Sequence, residues 1–349
     1  MTLAEILQGG RAPDPARDGR IRTTGVLERG EGRVPVLDSR LTSGERVGHW
    51  RVLWGIGRHR FRVPPGLYAL GRPGPGDPVL ATGNYRWSVD LVRVALSGRS
   101  VWLLVLDTDG INVWCAAGKG TFGSAELVRR LKTSGIEGLV DHRRVIVPQL
   151  GAVSMEPHHI RRKSGWTVDY GPVRAADLPG FLENGTAGPD MRRVRFTLAD
   201  RLRVLPVEIR RGLELVAGAA VLLVPVFWFS GHPDPVAAGL RQGAALLPGL
   251  LAGLVTFGAL LPLSPFRSFG LGGLLAGVLW LPAVWLLAVV PEGMGLVHLS
   301  WSAWLAFSLT GSSTFTSLSG VRRESRWLIP LVSLGVLAGL VRFLSVLWR

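Results

Sequence analysis

The chain has 349 residues, 47% of them hydrophobic, with a formal net charge of +15, and this is more apolar material than one soluble core buries, so part of it belongs in lipid. A single cysteine excludes an internal disulfide and any iron–sulfur or zinc cluster held by several cysteines of this chain. The arginines are spread through the polar part and are not gathered on one helix, which argues against nucleic acid as partner and for a basic domain held over an anionic membrane surface.

The first 20 residues, MTLAEILQGGRAPDPARDGR, have no apolar run behind a basic start, so they are not read as a secretory signal. Residues 9–48 are rich in Arg, Gly, Pro and Asp without a period, and 1–48 is expected to be a mobile tail. From 49 to 212 short apolar runs alternate with amphipathic stretches, the pattern of an α/β domain. Residues 101–106 (VWLLVL) form a strand apolar enough to be buried on both faces of a parallel sheet. Further strands are expected at 145–147, 167–169 and 194–196, and helices at 124–133, 175–183 and 198–211.

Beyond residue 212 five apolar stretches, about 213–230, 244–263, 271–290, 296–311 and 327–348, read as an all-α transmembrane domain of five helices. A span needs roughly 20 apolar residues, so the first and fourth must borrow flanking ones. Arg201, Arg203, Arg210, Arg211, Arg267, Arg322, Arg323 and Arg326 fall on one side of these spans. The opposite loops carry Asp234, Glu292, His232, His298 and only Arg241. The positive-inside rule makes the chain a multi-pass protein of the cytoplasmic membrane, with its N-terminal domain in the cytoplasm. Trp228, Trp280, Trp301, Trp327 and Trp348 sit near span ends as interfacial anchors, and the spans hold almost no ionisable residue, so no proton relay is expected in them.

The sole cysteine lies in 107–123 (DTDGINVWCAAGKGTFG), just past the best strand, at the sheet edge where open α/β folds bind ligands. Asn112 is a good N-cap, so Val113 to Ala117 can start a short helix with Cys115 near its positive end, where a thiolate is stabilised. Ala116, Ala117 and Gly118 are small enough for a large planar ligand to approach, and Trp114 adds apolar surface. Residues 118–123 (GKGTFG) satisfy G-x-G-x-x-G but begin about a dozen residues after the strand. A phosphate-binding P-loop fails, because Val113 stands where its first glycine belongs and Gly120 where Ser or Thr must bind magnesium. On the residues alone, a cysteine nucleophile paired with His142, His158 or His159 and an inert thiol both stay open.

Residues 112–119 (NVWCAAGK) resemble, at every position, the cap-helix signature of the HgcA-type corrinoid proteins of microbial mercury methylation. The likeness continues through 83–85 (GNY), 106–108 (LDT), 120–123 (GTFG), 148–152 (PQLGA), 170–174 (YGPVR) and 310–314 (TGSST), from about Trp50 to the last helix. A weaker likeness is to the corrinoid iron–sulfur protein of acetyl-CoA synthesis, which shares the Rossmann-like corrinoid-binding domain but not the cap cysteine or the membrane part. The resemblance implies a corrinoid-dependent methyltransferase with a cobalamin-type cofactor (methylcobalamin), Cys115 as the lower axial ligand of cobalt, and Hg(II) as acceptor. A thiolate trans to the methyl group pushes electron density through cobalt and eases departure of the methyl as a carbanion equivalent. The same ligand makes reduction of cobalt harder, so the resemblance also implies a low-potential partner, a dicluster 4Fe–4S ferredoxin (HgcB-like), and a methyl-donor protein of one-carbon metabolism. It carries over Thr82, Thr108, Asn112, Val113, Trp114, Ala116, Ala117, Gly118 and Lys119 as cofactor contacts, with Gln149, Gly151, Ala152 and Val173 as loop positions at the same edge. Two other classes remain: a corrinoid methyl carrier for a different acceptor, and a non-enzymatic membrane store for corrinoid.

Overall fold

The computed structural model describes residues 21–29, 32–286 and 294–348. It divides into two units, Met1–Val52 with Ile56–Val194, and Leu53–Gly55 with Arg195–Arg349.

In the first unit the run VWLLVL becomes β5 (Val101–Leu106), and all six residues are buried. Alternation along the pleat sends Trp102, Leu104 and Leu106 into one core and Val101, Leu103 and Val105 into the other, so an unbroken apolar run is what a central strand requires. Each such side chain contributes about 1.5–3 kcal/mol of burial. Around it lie β1 (Thr23–Arg29), β2 (Gly32–Leu37), β3 (Gly66–Leu70), β4 (Val79–Gly83), β6 (Arg144–Pro148) and β7 (Thr167–Gly171), in the order β1-β2-β3-β5-β4-β6-β7. The half made of β5, β4, β6 and β7 is entirely parallel, whereas β3 runs antiparallel to β5 and β1 antiparallel to β2. The α/β expectation therefore becomes a mixed sheet, whose parallel half gathers four strand carboxyl ends along one edge.

Two expectations for this unit are corrected. Within the expected tail, Thr23–Arg29 and Gly32–Leu37 pair antiparallel as β1 and β2 and extend the sheet, and the helix Ser43–Leu53 begins. Val34 and Leu37 bury themselves in the two cores, a tertiary gain that the Arg, Gly and Pro around them conceal locally. Residues 1–20 and 30–31 of that tail lie outside the described residues. Residues 194–196 form no strand: Val194 is exposed, and Phe196 packs instead against the core of the second unit.

In the second unit the expected helix 198–211 and the expected span 213–230 are one helix, Leu198–Phe229. Thr197 and Asp200 close a reciprocal capping box at its start, so the boundary falls at residue 194 and not at 212. The helical stretch Pro235–Leu263 and the helices Phe269–Leu286, Gly295–Ser308 and Leu318–Leu347 follow. Three of the five are long and apolar enough to cross a membrane, namely Leu198–Phe229, Pro235–Leu263 and Leu318–Leu347. Five spans are not confirmed among the described residues: Phe269–Trp285 is a shorter apolar stretch that runs to the edge of those residues, and Gly295–Ser308 has 14 residues. The expected end of the third span, 287–290, and Glu292 lie outside the described residues.

Close approach holds these helices together. A Cβ added to Gly253 would stand 2.3 Å from Ser302 O, and one added to Gly273 would stand 2.3 Å from the Ala306 Cβ. His298, expected in a loop, instead lies in Gly295–Ser308, is 1% exposed, and has Nε2 3.2 Å from Gly277 O.

Candidate functional site

Asn112 ends the loop that leaves β5 and takes an extended conformation, from which its Oδ1 accepts the Cys115 N–H at 2.9 Å. This cap starts the helix Val113–Lys119, and Gly120 stops it in the left-handed region at φ +81°. A 3.6-residue period then divides the motif into two faces. Val113, Ala116 and Ala117 are buried in the sheet core, whereas Trp114, Cys115, Gly118 and Lys119 face outward, with Trp114 43% exposed.

The side chains of Val113, Ala116 and Ala117 thus pack against the sheet and are not presented on the outer face with Cys115. Their small size lets the helix sit down onto the sheet edge. At Gly118 an added Cβ would meet nothing within 4 Å, so the surface one turn from Cys115 is open. Cys115 is free and exposed, and its Sγ has no hydrogen-bond partner among the described residues.

The expected contacts Thr82 and Thr108 are also buried. Thr108 Oγ1 lies 2.8 Å from both Asn84 Oδ1 and Ile111 O, so its hydroxyl is used inside the fold. The organising residue here is Asn84, the middle of the motif GNY, to which the sequence analysis assigns no role. Its Oδ1 accepts the N–H groups of Thr108 (3.0 Å) and Gly110 (2.9 Å), and its Nδ2 donates to Asp107 Oδ1 (3.1 Å). One buried amide thus holds the loop between β5 and the cap helix, including Asp109 at φ 56° and Gly110 at φ 69°.

At the end of β6 the turn Gln149–Ser154 packs beside the cap helix. Gly151 is buried beneath the Phe122 ring, where an added Cβ would lie 2.4 Å from the ring edge, so packing here requires glycine. Ala152 is half-buried and Val153 is 82% exposed. The segment after the last helix of this unit returns to the same edge: Val173 N–H donates to Met191 O (2.7 Å) and Arg192 Nη1 to Gln149 Oε1 (3.0 Å). Arg192 sits in a run of arginines with nothing local to mark it.

The expected residues 112–119, 149, 151, 152 and 173 thus come together at the carboxyl ends of β5, β6 and β7. His142 does not join them, since it precedes β6 and bonds to Asp77 O (3.0 Å) at the opposite end of the strands, so it is no base for Cys115. His158 is exposed and His159 half-buried on Pro157–Ser164. No group of three or more His, Cys, Asp or Glu among the described residues could hold a metal ion.

Behind the edge, the helix Arg86–Ala95 that follows β4 carries a buried ionic cluster. Asp90 lies 3.1 Å from Arg86 Nε, 2.7 Å from Arg93 Nε and 2.7 Å from His49 Nε2, and Glu45 receives Arg93 Nη2 at 2.8 Å. Burial pushes the Asp90 carboxyl up, but the His49 hydrogen bond and the Arg86 and Arg93 guanidiniums outweigh it and hold the group below its ordinary range. Burial likewise opposes the Thr42 N–H and the same two arginines at Glu45, and again the net shift is down.

Residues 51–182 match a family model described as the CO dehydrogenase/acetyl-CoA synthase delta subunit. The chain is similar to the acetyl-CoA decarbonylase/synthase complex subunit gamma of Archaeoglobus fulgidus, 34% identical over 128 residues, which is 36% of this chain and 27% of that protein. The gamma subunit of Methanopyrus kandleri is 32% identical over 128 residues, with the same shares covered. That of Methanocaldococcus jannaschii is 32% identical over 124 residues, 35% of this chain and 25% of its own length. The chain spans about a quarter of the length of these curated relatives, and the family match holds β3 to β7 with the cap helix but not the helical unit.

Proposed function

We propose that the chain is a membrane-anchored corrinoid-dependent methyltransferase, in which Cys115 Sγ is the protein's donor to cobalt and Hg(II) is the methyl acceptor. The observation that carries this reading is the exposed thiol of Cys115 in the first turn of a helix capped by Asn112, at the carboxyl edge of the parallel strands. The residues there fit a corrinoid. Gly118 leaves the surface beside the sulfur open, Trp114 and Val153 offer apolar faces, and Lys119 and Gln149 offer polar groups to an amide-bearing rim. When bound, the corrinoid supplies a cobalt centre that carries a methyl group from donor to acceptor.

The chain's own residues prepare the sulfur for that role. Cysteine sulfur is a soft donor, suited to a transition-metal centre. Asn112 fixes the Cys115 backbone, and Asn84 fixes the loop before it, so the donor is presented from a rigid support. The long apolar helices hold the chain in the cytoplasmic membrane as a multi-pass protein, with the sheet unit on the arginine-rich, cytoplasmic side. With one cysteine, the chain takes its low-potential electrons from a dicluster ferredoxin and its methyl group from a donor protein of one-carbon metabolism.

A second reading, methyl carriage to another acceptor of one-carbon metabolism, is favoured by the similarity of residues 51–182 to acetyl-CoA decarbonylase/synthase subunits. Anaerobic expression of the full chain with a dicluster ferredoxin, followed by assay of methylmercury, separates the two. Methylmercury from the wild type and none from Cys115→Ala is expected, with a changed electronic spectrum of the bound corrinoid in the variant. A spectrum indifferent to Cys115→Ala removes the sulfur from cobalt and ends the proposal.

A further inference from the structure

Two connections of the helical unit lead into helix starts beside one another. Ser268 Oγ accepts the Leu271 N–H (3.1 Å) at the start of Phe269–Leu286, and Ser317 Oγ accepts the Gly320 N–H (3.2 Å) at the start of Leu318–Leu347. A cleft of about 730 Å3 opens there, and its lining includes Phe266, Arg267, Thr314, Phe315, Arg323 and Trp327. Among the described residues neither Arg267 nor Arg323 has a carboxylate partner. The carboxylate that also lines the cleft, Glu324, is buried, and its Oε1 accepts from Ser268 Oγ (2.8 Å) and Gly270 N (2.7 Å), so it caps the neighbouring helix.

We propose that this cleft binds the phosphodiester headgroup of an anionic phospholipid. Two unpaired guanidiniums match a phosphate in charge and in fork geometry, and the N-terminal ends of two helices add positive potential. The exposed rings of Phe266, Phe315 and Trp327 beside them suit the glycerol and first acyl carbons, which a small soluble phosphate lacks. The cleft opens at the end of Leu318–Leu347, a helix long enough to cross a bilayer, which is the depth at which headgroups lie. The inference rests on the reading that these helices span a membrane.

The test uses the full chain, first shown to resist alkaline carbonate extraction from membranes, then purified in detergent and offered phosphatidylglycerol, phosphatidylcholine or inorganic phosphate before native mass spectrometry. The wild type should retain phosphatidylglycerol over phosphatidylcholine by about tenfold, because both carry the phosphodiester but the choline ammonium of the second repels the two guanidiniums. Arg267→Gln with Arg323→Gln should remove that preference. Arg322→Gln with Arg326→Gln, the same change in charge outside the lining, should keep it. No preference in the wild type, or equal loss in both pairs, overturns the site. Retention of inorganic phosphate with the same arginine dependence and no lipid preference assigns the cleft to a soluble phosphate ligand and overturns the lipid. Release by carbonate overturns the spanning reading, and the lipid site with it.

Discussion

The two units bury polar groups by opposite means. In the sheet unit charge meets charge: the buried Asp90, Arg86 and Arg93 pair with half-buried Glu45 and His49, drawn from positions 41 and 48 residues apart in sequence. In the helical unit several buried groups bond instead to backbone, as Ser302 Oγ does to Gly273 O (2.7 Å), His298 to Gly277 O (3.2 Å) and Glu324 Oε1 to Gly270 N (2.7 Å). Where water is the outer solvent, apolar burial around an ionic cluster can offset the cost of desolvating it. Where lipid is the outer solvent, apolar contact no longer drives association, and helices gain by approaching closely enough for glycine faces and backbone acceptors to meet.

The largest expected effect breaks the first half of that contrast. Arg93→Met should destabilise the sheet unit by about 3–5 kcal/mol, because it removes one of the two buried guanidiniums and leaves Arg86 to balance both Asp90 and Glu45, and denaturant unfolding measures it. A loss below 1 kcal/mol would mean that the cluster is hydrated in solution. Asn84→Ala should cost about 2–3 kcal/mol by leaving the Thr108 and Gly110 N–H groups unpaired, and should also speed hydrogen exchange across 107–110. In the helical unit, Gly253→Val should cost about 1–3 kcal/mol by forcing the helix away from Ser302, read as a lowered melting temperature in detergent. The smallest effect is on pH. Asp90 and Glu45 have folded-state values below their ordinary 3.8 and 4.5, so their contribution is present above those values. It is lost as pH falls through the depressed folded values, and the sheet unit should therefore lose stability on acidification below about pH 4. Constant stability down to pH 2 would contradict this assignment.

How much of this was legible in the sequence depended on how local its cause was. The strand at 101–106 and the helix at 124–133 were read with their observed bounds, since an apolar run and a 3.6-residue period are complete within the segment. The Asn112 cap was legible for the same reason, because donor and acceptor are three residues apart. The pairing of β1 with β2 was not, since its stability comes from partners on β3 and from cores assembled by distant residues. Nor was the orientation of Ala116 and Ala117: small residues at a helix start suit a ligand above or a sheet below, and only the register of the helix on the sheet decides. Asn84 carried no local signal, because its partners lie 23–26 residues away on the next strand's loop. At His298 the expected loop proved to be a helix, because a single polar residue in an apolar stretch can face a neighbouring backbone carbonyl as readily as water.

The exposed Cys115 has one further consequence, and it concerns concentration. A thiol with no second cysteine among the 349 residues cannot close a bond upon itself, so oxidation to a disulfide must join two molecules or one molecule and an external thiol. Self-inactivation by air is thereby second order in protein: tenfold dilution slows chain-to-chain coupling about a hundredfold, while direct oxygenation of the sulfur slows only in proportion. The yield of covalent dimer against dilution, on a non-reducing gel, therefore reports how openly the thiol faces solvent, and anything seated upon the sulfur should flatten that curve.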